Sequence, residues 1–269
     1  MDVFAKQIEF DGVNLTEQYG VTIASFDMPN DKRETGISYE INSGDITPYR
    51  PVANYYNKRY REPLKFDVTF VKLCSDTNYF SVNEQRKIVR HITSPVDYRL
   101  LKILDYDDSS YHYGIEYDCI CTDYQEVHIN GQIVGLTFSF QCNAPYGYYN
   151  EVSTNFNTSS SASIIIDNYS DERELLYYPE IEITSNSTGT VTIKNEQTPD
   201  NDMQLEVYNG QTLYIDCEAC DITDDIDMFK YSTDTNLKWL SLLPGENKIT
   251  ITGNVSGKIT CRYPRKVGI

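Results

Sequence analysis

Apolar residues fall at every second position in several runs of this chain, which turn-forming residues separate. A repeat of two is the repeat of a strand with one buried face, so a chain written this way must fold mainly as sheet. The run Leu64-Lys65-Phe66-Asp67-Val68-Thr69-Phe70-Val71-Lys72-Leu73 shows it most plainly, with Leu64, Phe66, Val68, Phe70 and Lys72 on one side. Tyr98 to Tyr106, Tyr113 to Tyr124 and Gln132 to Gln141 alternate in the same way, with turns expected at Asp107-Asp108-Ser109 and Asn130-Gly131. Ile8-Glu9-Phe10 and Val13-Asn14-Leu15 flank Asp11-Gly12, a strong signal for a tight hairpin. A further strand is expected from Tyr19 to Ile23.

One stretch follows a different repeat. Ser81-x-x-Glu84 fits a capping box, and Ile88, Val89 and Ile92 then lie on one side of the following turns. Ser94-Pro95 should end that helix. Residues 1–150 therefore read as an α+β domain of antiparallel strands and one helix. Between Asp27 and Tyr60 the alternation loosens around Pro29, Gly36, Gly44, Pro48 and Pro51. Lys32, Arg33, Arg50, Lys58, Arg59 and Arg61 give this part a basic and aromatic character. It reads either as an arm ordered against a neighbour or as a mobile surface loop.

NEVSTNFNTSSSAS, which closes at Ser163, is polar and almost free of large aliphatics, so residues 151–163 are expected to be a linker. Beyond it lie only short strands: Ile164–Ile166, Pro179–Ile183, Thr190–Lys194, Gln204–Val207, Thr212–Asp216, Lys248–Thr252 and Lys258–Tyr263. Turns at Asn186–Gly189, Asn209-Gly210, Pro244-Gly245 and Ser256-Gly257 separate them, and residues 164–269 read as a β-sandwich.

Composition narrows the possible roles. The 269 residues suit two domains, and 40% hydrophobic content lets each bury a core. Tyrosine dominates the aromatics, with 23 Tyr against 10 Phe and one Trp, which fits half-buried sheet surfaces and interfaces. A net charge of −17 argues against a protein that grips nucleic acid or anionic lipid. It is compatible with solubility, or with a lumen through which DNA slides. The N-terminus carries no signal-peptide pattern, and no apolar run approaches the ~18 residues of a membrane span. Seven cysteines do not make a fully paired disulfide set, which points to a reducing cytosol. There the sequons at Asn14 and Asn186 carry no meaning.

Few residues invite chemistry. Cys119-Ile-Cys121 and Cys217-Glu-Ala-Cys220 could together supply four thiolates to zinc, but they lie in different domains. Cys119 and Cys121 also suit small core positions on a strand. The dithiol at Cys217 and Cys220 lacks the strand-to-helix setting of a redox motif. The acidic runs Asp105–Asp108 and Asp221–Asp227 lack the spacing of a calcium loop and read as solvated turns. Of the three histidines, His91 is expected on the helix surface, His112 sits between tyrosines, and His128 alternates on a strand. No catalytic, cofactor or metal residues are assigned, and the chain reads as a structural protein rather than an enzyme.

Six pieces in order carry a resemblance. They are IEFDGVNLTEQYGV, YYNKRYREPLKFDVTFVK, SVNEQRKIVRHITSPVDYRLLKILDYDDSSYHYGIEYDC, GQIVGLTFSFQCNAPYGYY, WLSLLPGENKITITG and KITCRYPRKVGI. Together they resemble the distal tail (Dit) proteins of siphophages across nearly the whole chain. The stretch Asp221–Thr235 is more acidic than that family's pattern.

The resemblance implies an N-terminal domain that assembles as a hexameric ring around a DNA channel, and a galectin-like C-terminal β-sandwich. It implies partners in the tail tube and in tail-associated or receptor-binding proteins, with no specific nucleic-acid binding and no membrane insertion. The location implied is the virion tail tip of a phage or prophage, reached from the host cytoplasm during assembly. The alternative is a carbohydrate-binding module contributing to host-surface adhesion, for which Trp239 and Tyr231 are the aromatic candidates, although Trp239 beside Leu240, Leu242 and Leu243 also suits a core. A third reading is a tail-associated hydrolase.

Overall fold

The computed structural model describes residues 5–24, 39–45, 55–72, 79–105, 114–198 and 201–266. The chain divides into two compact units: Met1–Tyr149 together with Arg265–Ile269, and Asn150–Pro264.

The first unit opens with β1 (Ala5–Phe10) and β2 (Val13–Asn14). Asp11 and Gly12 between them both take positive φ, 48° and 75°, as the Asp-Gly pair requires of a tight hairpin. The second strand then stops a residue sooner than its apolar pattern suggests. The Asn14 side chain accepts the Glu17 amide at 3.1 Å and starts the short helix α1 (Leu15–Tyr19), which ends on Gly20 at φ 63°. Leu15 and Tyr19, expected in strands, are helical, because a side-chain cap outweighs a two-residue alternation.

After α1 come β3 (Val21–Ile23), β4 (Tyr39–Ser43), β5 (Tyr55–Tyr60) and β6 (Lys65–Lys72). Helix α2 (Val82–Thr93), β7 (Arg99–Asp105), β8 (Ile115–Ile129), β9 (Gln132–Cys142) and β10 (Gly147–Tyr148) complete the run. The main sheet has the order β2-β1-β7-β8-β9-β6-β3, each of these neighbours pairs antiparallel, and β10 joins at β8, also antiparallel. It cannot be flat. Three strand spacings of about 4.8 Å separate β1 from β9, yet the Phe10 and Phe140 rings lie 5.9 Å apart. Phe66 on β6 and Tyr117 on β8 likewise meet at 4.9 Å across the strand between them. The sheet curls around one core, into which α2 inserts Ile88 and Ile92.

The capping box forms as the sequence predicts: Glu84 N donates to Ser81 Oγ (3.3 Å) while Ser81 N donates to Glu84 Oε2 (2.9 Å). Lys72 ends the apolar side of β6, and its stem is nearly buried while its ammonium reaches Glu84 Oε1 at 2.8 Å. His91 is half-buried and not on the open surface. Its Nε2 lies 2.9 Å from the Phe10 carbonyl and its ring stands edge-on to Phe10.

The second unit is a two-sheet sandwich. Its strands are β11 (Val152–Thr158), β12 (Ser161–Asn168), β13 (Glu180–Ser185), β14 (Gly189–Asn195), β15 (Met203–Val207), β16 (Thr212–Asp216), β17 (Asp221–Asp224), β18 (Gly245–Thr252) and β19 (Val255–Cys261). One sheet runs β11-β19-β13-β16-β17 and the other β12-β18-β14-β15. The linker expected at 151–163 is corrected here, because those residues lie almost wholly in β11 and β12, each the outer strand of its sheet. An outer strand needs paired backbone and few buried side chains. In β11 only Phe156 and Thr158 are buried. Phe156 faces Gly257 on β19, where any Cβ would collide with its ring. Asp221–Asp224 is likewise a strand and not a solvated turn.

Three buried asparagines hold the loop before β18. Asn247, fully buried, accepts the Leu243 amide (2.9 Å) and donates to the carbonyls of Leu243 and Gly245 (2.8 Å each). Asn195 bridges Asn247 Oδ1 (2.9 Å) and the Ser241 carbonyl (2.8 Å), and Asn168 reaches the Leu242 carbonyl at 3.4 Å. The Leu-Pro-Gly-x-Asn motif is thus a turn closed by its own last residue.

Two predictions follow from this packing. Asn247→Ala should lower the stability of the second unit by about 2–4 kcal/mol, because it strands several buried polar groups; urea denaturation with intrinsic fluorescence measures this. Lys72 and then Ser81 hold the Glu84 carboxyl down at about 2 against an ordinary 4.5. A depressed carboxylate stabilises the fold above its ordinary value and ceases to do so as pH falls through the lower one. The stability gap between wild type and Glu84→Gln should therefore shrink between pH 4.5 and about 2, by a modest amount for so exposed a carboxylate.

Candidate assembly surface

β4 and β5 pair only with each other among the described residues, as a two-stranded sheet apart from the main one. A lone hairpin is marginal in water, and an edge strand can take a further strand onto its backbone groups. Its outer part exposes large apolar and aromatic side chains: Ile41, Tyr55 and Tyr56 are each more than 60% exposed. One step in from Ile41, toward the hairpin's base, Arg59 forms an exposed ion pair with Glu40 at 2.8 Å. Of the basic stretch expected from Asp27 to Arg61, residues 39–45 and 55–61 are described; Lys32, Arg33 and Arg50 lie outside the described residues.

The base of the hairpin is organised differently. Tyr39 and Tyr60 face each other in register with rings 4.8 Å apart, and their hydroxyls are 3.4 Å apart. Tyr60 also meets Tyr146 edge-on at 5.7 Å, and Tyr146 meets Tyr148 of β10 at 5.6 Å. Lys58 sits 3.5 Å above the Tyr39 ring. The Tyr60 hydroxyl, aided by the charges of Lys266 and Lys58, holds the Tyr39 phenol below its ordinary value.

A second exposed feature is the far end of β8 and β9. Asn130 and Gly131 turn it with positive φ of 51° and 78°, and Ile129 is 52% exposed. Tyr124 packs on Phe138 at 5.1 Å and accepts from Gln85 of α2 at 3.0 Å. His128 sits there, 2.8 Å from Glu126 Oε2. His112 and most of Asp105–Asp108 lie outside the described residues.

Among the described residues, Cys119, Cys142, Cys217 and Cys261 are buried and sit as packing residues. Cys119 and Cys142 face each other in register, both buried, and burial pushes both thiols up, that of Cys142 to about 12. Burial likewise raises Cys217 to about 12, while Cys220 is exposed. Thiols held protonated are poor metal ligands and poor nucleophiles. No three His, Cys, Asp or Glu side chains among the described residues gather closely enough to hold a metal ion.

On the outer face of the second unit's larger sheet, Glu180, Asp216 and Asp221 lie side by side across β13, β16 and β17 in a groove of about 260 Å³. Burial first, then Asp216 and Glu151, raises the Glu180 carboxyl. Tyr214 is half-exposed in its floor. Neither Trp239 nor Tyr231 lines it. The Tyr231 hydroxyl is tied to Asp221 at 2.6 Å, and Trp239 is half-buried instead of lying in the core.

Comparison with known proteins bears on both units. Residues 4–144 match the model of a phage tail protein N-terminal domain, and residues 146–261 that of a phage tail C-terminal domain. Comparison with curated protein sequences gives no match. Among solved structures, the SPP1 Dit (gp 19.1) protein, described as a paradigm of the hub adsorption apparatus of phages infecting Gram-positive bacteria, is similar with a TM-score of 0.62. It is 14% identical, over 97% of this chain and 99% of that one. A chain of the phage P2 baseplate in its activated conformation with Ca has a TM-score of 0.53 at 9% identity, over 97% of this chain and 98% of that one. With family models matched over both units and the fold of a siphophage distal tail protein along nearly its whole length, the chain belongs to the phage tail protein family.

Proposed function

We propose that this protein is a distal tail protein that forms a ring at the tail tip, joining the tail tube to the tip and receptor-binding apparatus and leaving a channel for DNA. Its role is structural, not catalytic. The observation that carries this reading is the β4–β5 hairpin, a two-stranded sheet that pairs with no further strand among the described residues and exposes Ile41, Tyr55 and Tyr56 in a chain of the phage tail family. A ring is built from heterologous contacts, so each copy must offer two different surfaces. The hairpin supplies one by adding its strands and side chains to a neighbour, and a sheet margin of the next copy supplies the other. The count is taken as six from the resemblance to distal tail proteins. The first unit's surplus of acidic over basic residues, 21 against 16, suits a lumen that passes DNA without binding it.

Other partners follow from that place: the tail tube on one side and tail-associated or receptor-binding proteins on the other, in the virion and, during assembly, in the host cytoplasm. Light scattering at rising concentration, with negative-stain imaging, tests the reading. Wild type is expected to reach a closed oligomer. Ile41→Asp with Tyr56→Ser should remain monomeric at the same concentration, with its circular dichroism unchanged. A folded double variant that still closes rings would remove the hairpin from the joint.

A further inference from the structure

We infer that Lys266 is a positioning residue for the β4–β5 hairpin: a cation that the chain supplies after its second unit to fix the hairpin's base on the first. This rests on reading the hairpin as the assembly surface. The residues from Arg265 onward belong to the first unit, although 115 residues of the second unit precede them. The Lys266 ammonium lies 5.6 Å from the Tyr60 ring centre and 5.9 Å from that of Tyr39, within reach of a cation–π attraction to both. Those rings are the two that close the hairpin's base, one on each strand. Arg265 beside it lies over Tyr149 at 5.3 Å, so the segment is held on the unit by its neighbour too.

The arrangement solves a problem specific to this hairpin. A two-stranded sheet with exposed apolar residues at its outer part must be held at its base if those residues are to meet a partner in one orientation. The Tyr146 ring meets Tyr60, on one strand of the hairpin. Lys58 stacks on Tyr39 but belongs to the hairpin, so it cannot anchor the hairpin to anything else. Lys266 is the group from outside that addresses both strands at once. Its positive charge near the Tyr39 hydroxyl agrees with the lowered phenol there.

Hydrogen–deuterium exchange on the full chain, diluted until light scattering reports a monomer, reads this seat without reference to assembly. Lys266→Met keeps the length of the side chain and removes its charge. Amides of β4 and β5 should then exchange about three- to thirtyfold faster, with those of α2 and β8 unchanged. Lys266→Arg keeps a cation over the rings and should preserve wild-type protection. Unchanged hairpin exchange in Lys266→Met overturns the inference, and so does a rise spread evenly over the unit, which marks a general packing role. Mass at high concentration is a separate readout. A loosened hairpin with undiminished association supports the seat and removes the hairpin from the joint, whereas weaker association rescued by arginine supports both.

Discussion

A strand's backbone must be paired whatever its side chains are, and this requirement shapes the molecule more than apolar burial does. β11 shows one side of it. Seven residues with a single buried aromatic form a full ladder with β19, from Val152 opposite Cys261 to Thr158 opposite Val255. Hydrogen bonds and the Phe156 ring over Gly257 suffice at an edge. The β4–β5 hairpin shows the other side: two strands paired to each other and, among the described residues, to nothing more. One sheet edge is closed by a strand that looks like a linker, and one hairpin pairs with no further strand among the described residues.

The same requirement explains which parts of the fold were legible. Buried faces write themselves into the sequence, so β6, β7, β8 and β9 and the core strands of the sandwich stand where the alternation puts them. Local chemistry is equally readable: Ser81 with Glu84, Asp11-Gly12 and Asn130-Gly131 all form what their side chains and φ angles demand. What the pattern hides are elements whose reason is tertiary. The residues 151–163 resemble a linker because outward-facing Ser, Thr and Asn are the same residues that linkers use. Asp221–Asp224 looks like a solvated turn until β16 is present to pair with it. Asn247 looks like the end of a good turn, and only the fold shows it buried under Leu243 and Gly245. His91 is adjacent to exposed Arg90 in the chain, yet the helix places it against Phe10. The β4–β5 hairpin was legible only as a basic, aromatic interruption; nothing in its sequence said that it would be a hairpin with Ile41, Tyr55 and Tyr56 outward.

Charge is distributed unevenly between the two units. The second holds 19 acidic residues against 7 basic ones, while the first holds 21 against 16. Most of the chain's excess of negative charge therefore belongs to the sandwich, including the row Glu180–Asp216–Asp221, where like charges stand opposite one another on adjacent strands. Such pairs destabilise a sheet. The sandwich tolerates them because its stability comes from the apolar inner faces and the asparagine network, not from its outer surface.

The order of residues across the two units has a consequence for biosynthesis. Arg265 and Lys266 pack with the first unit but are translated only after every residue of the second. A ribosome that has finished Tyr149 has therefore released a first unit still short of part of its own surface. Final consolidation of that unit must wait for some 115 further residues to emerge, at roughly 5–20 residues per second. At that rate each nascent copy carries an unfinished hairpin base for roughly 6–23 s.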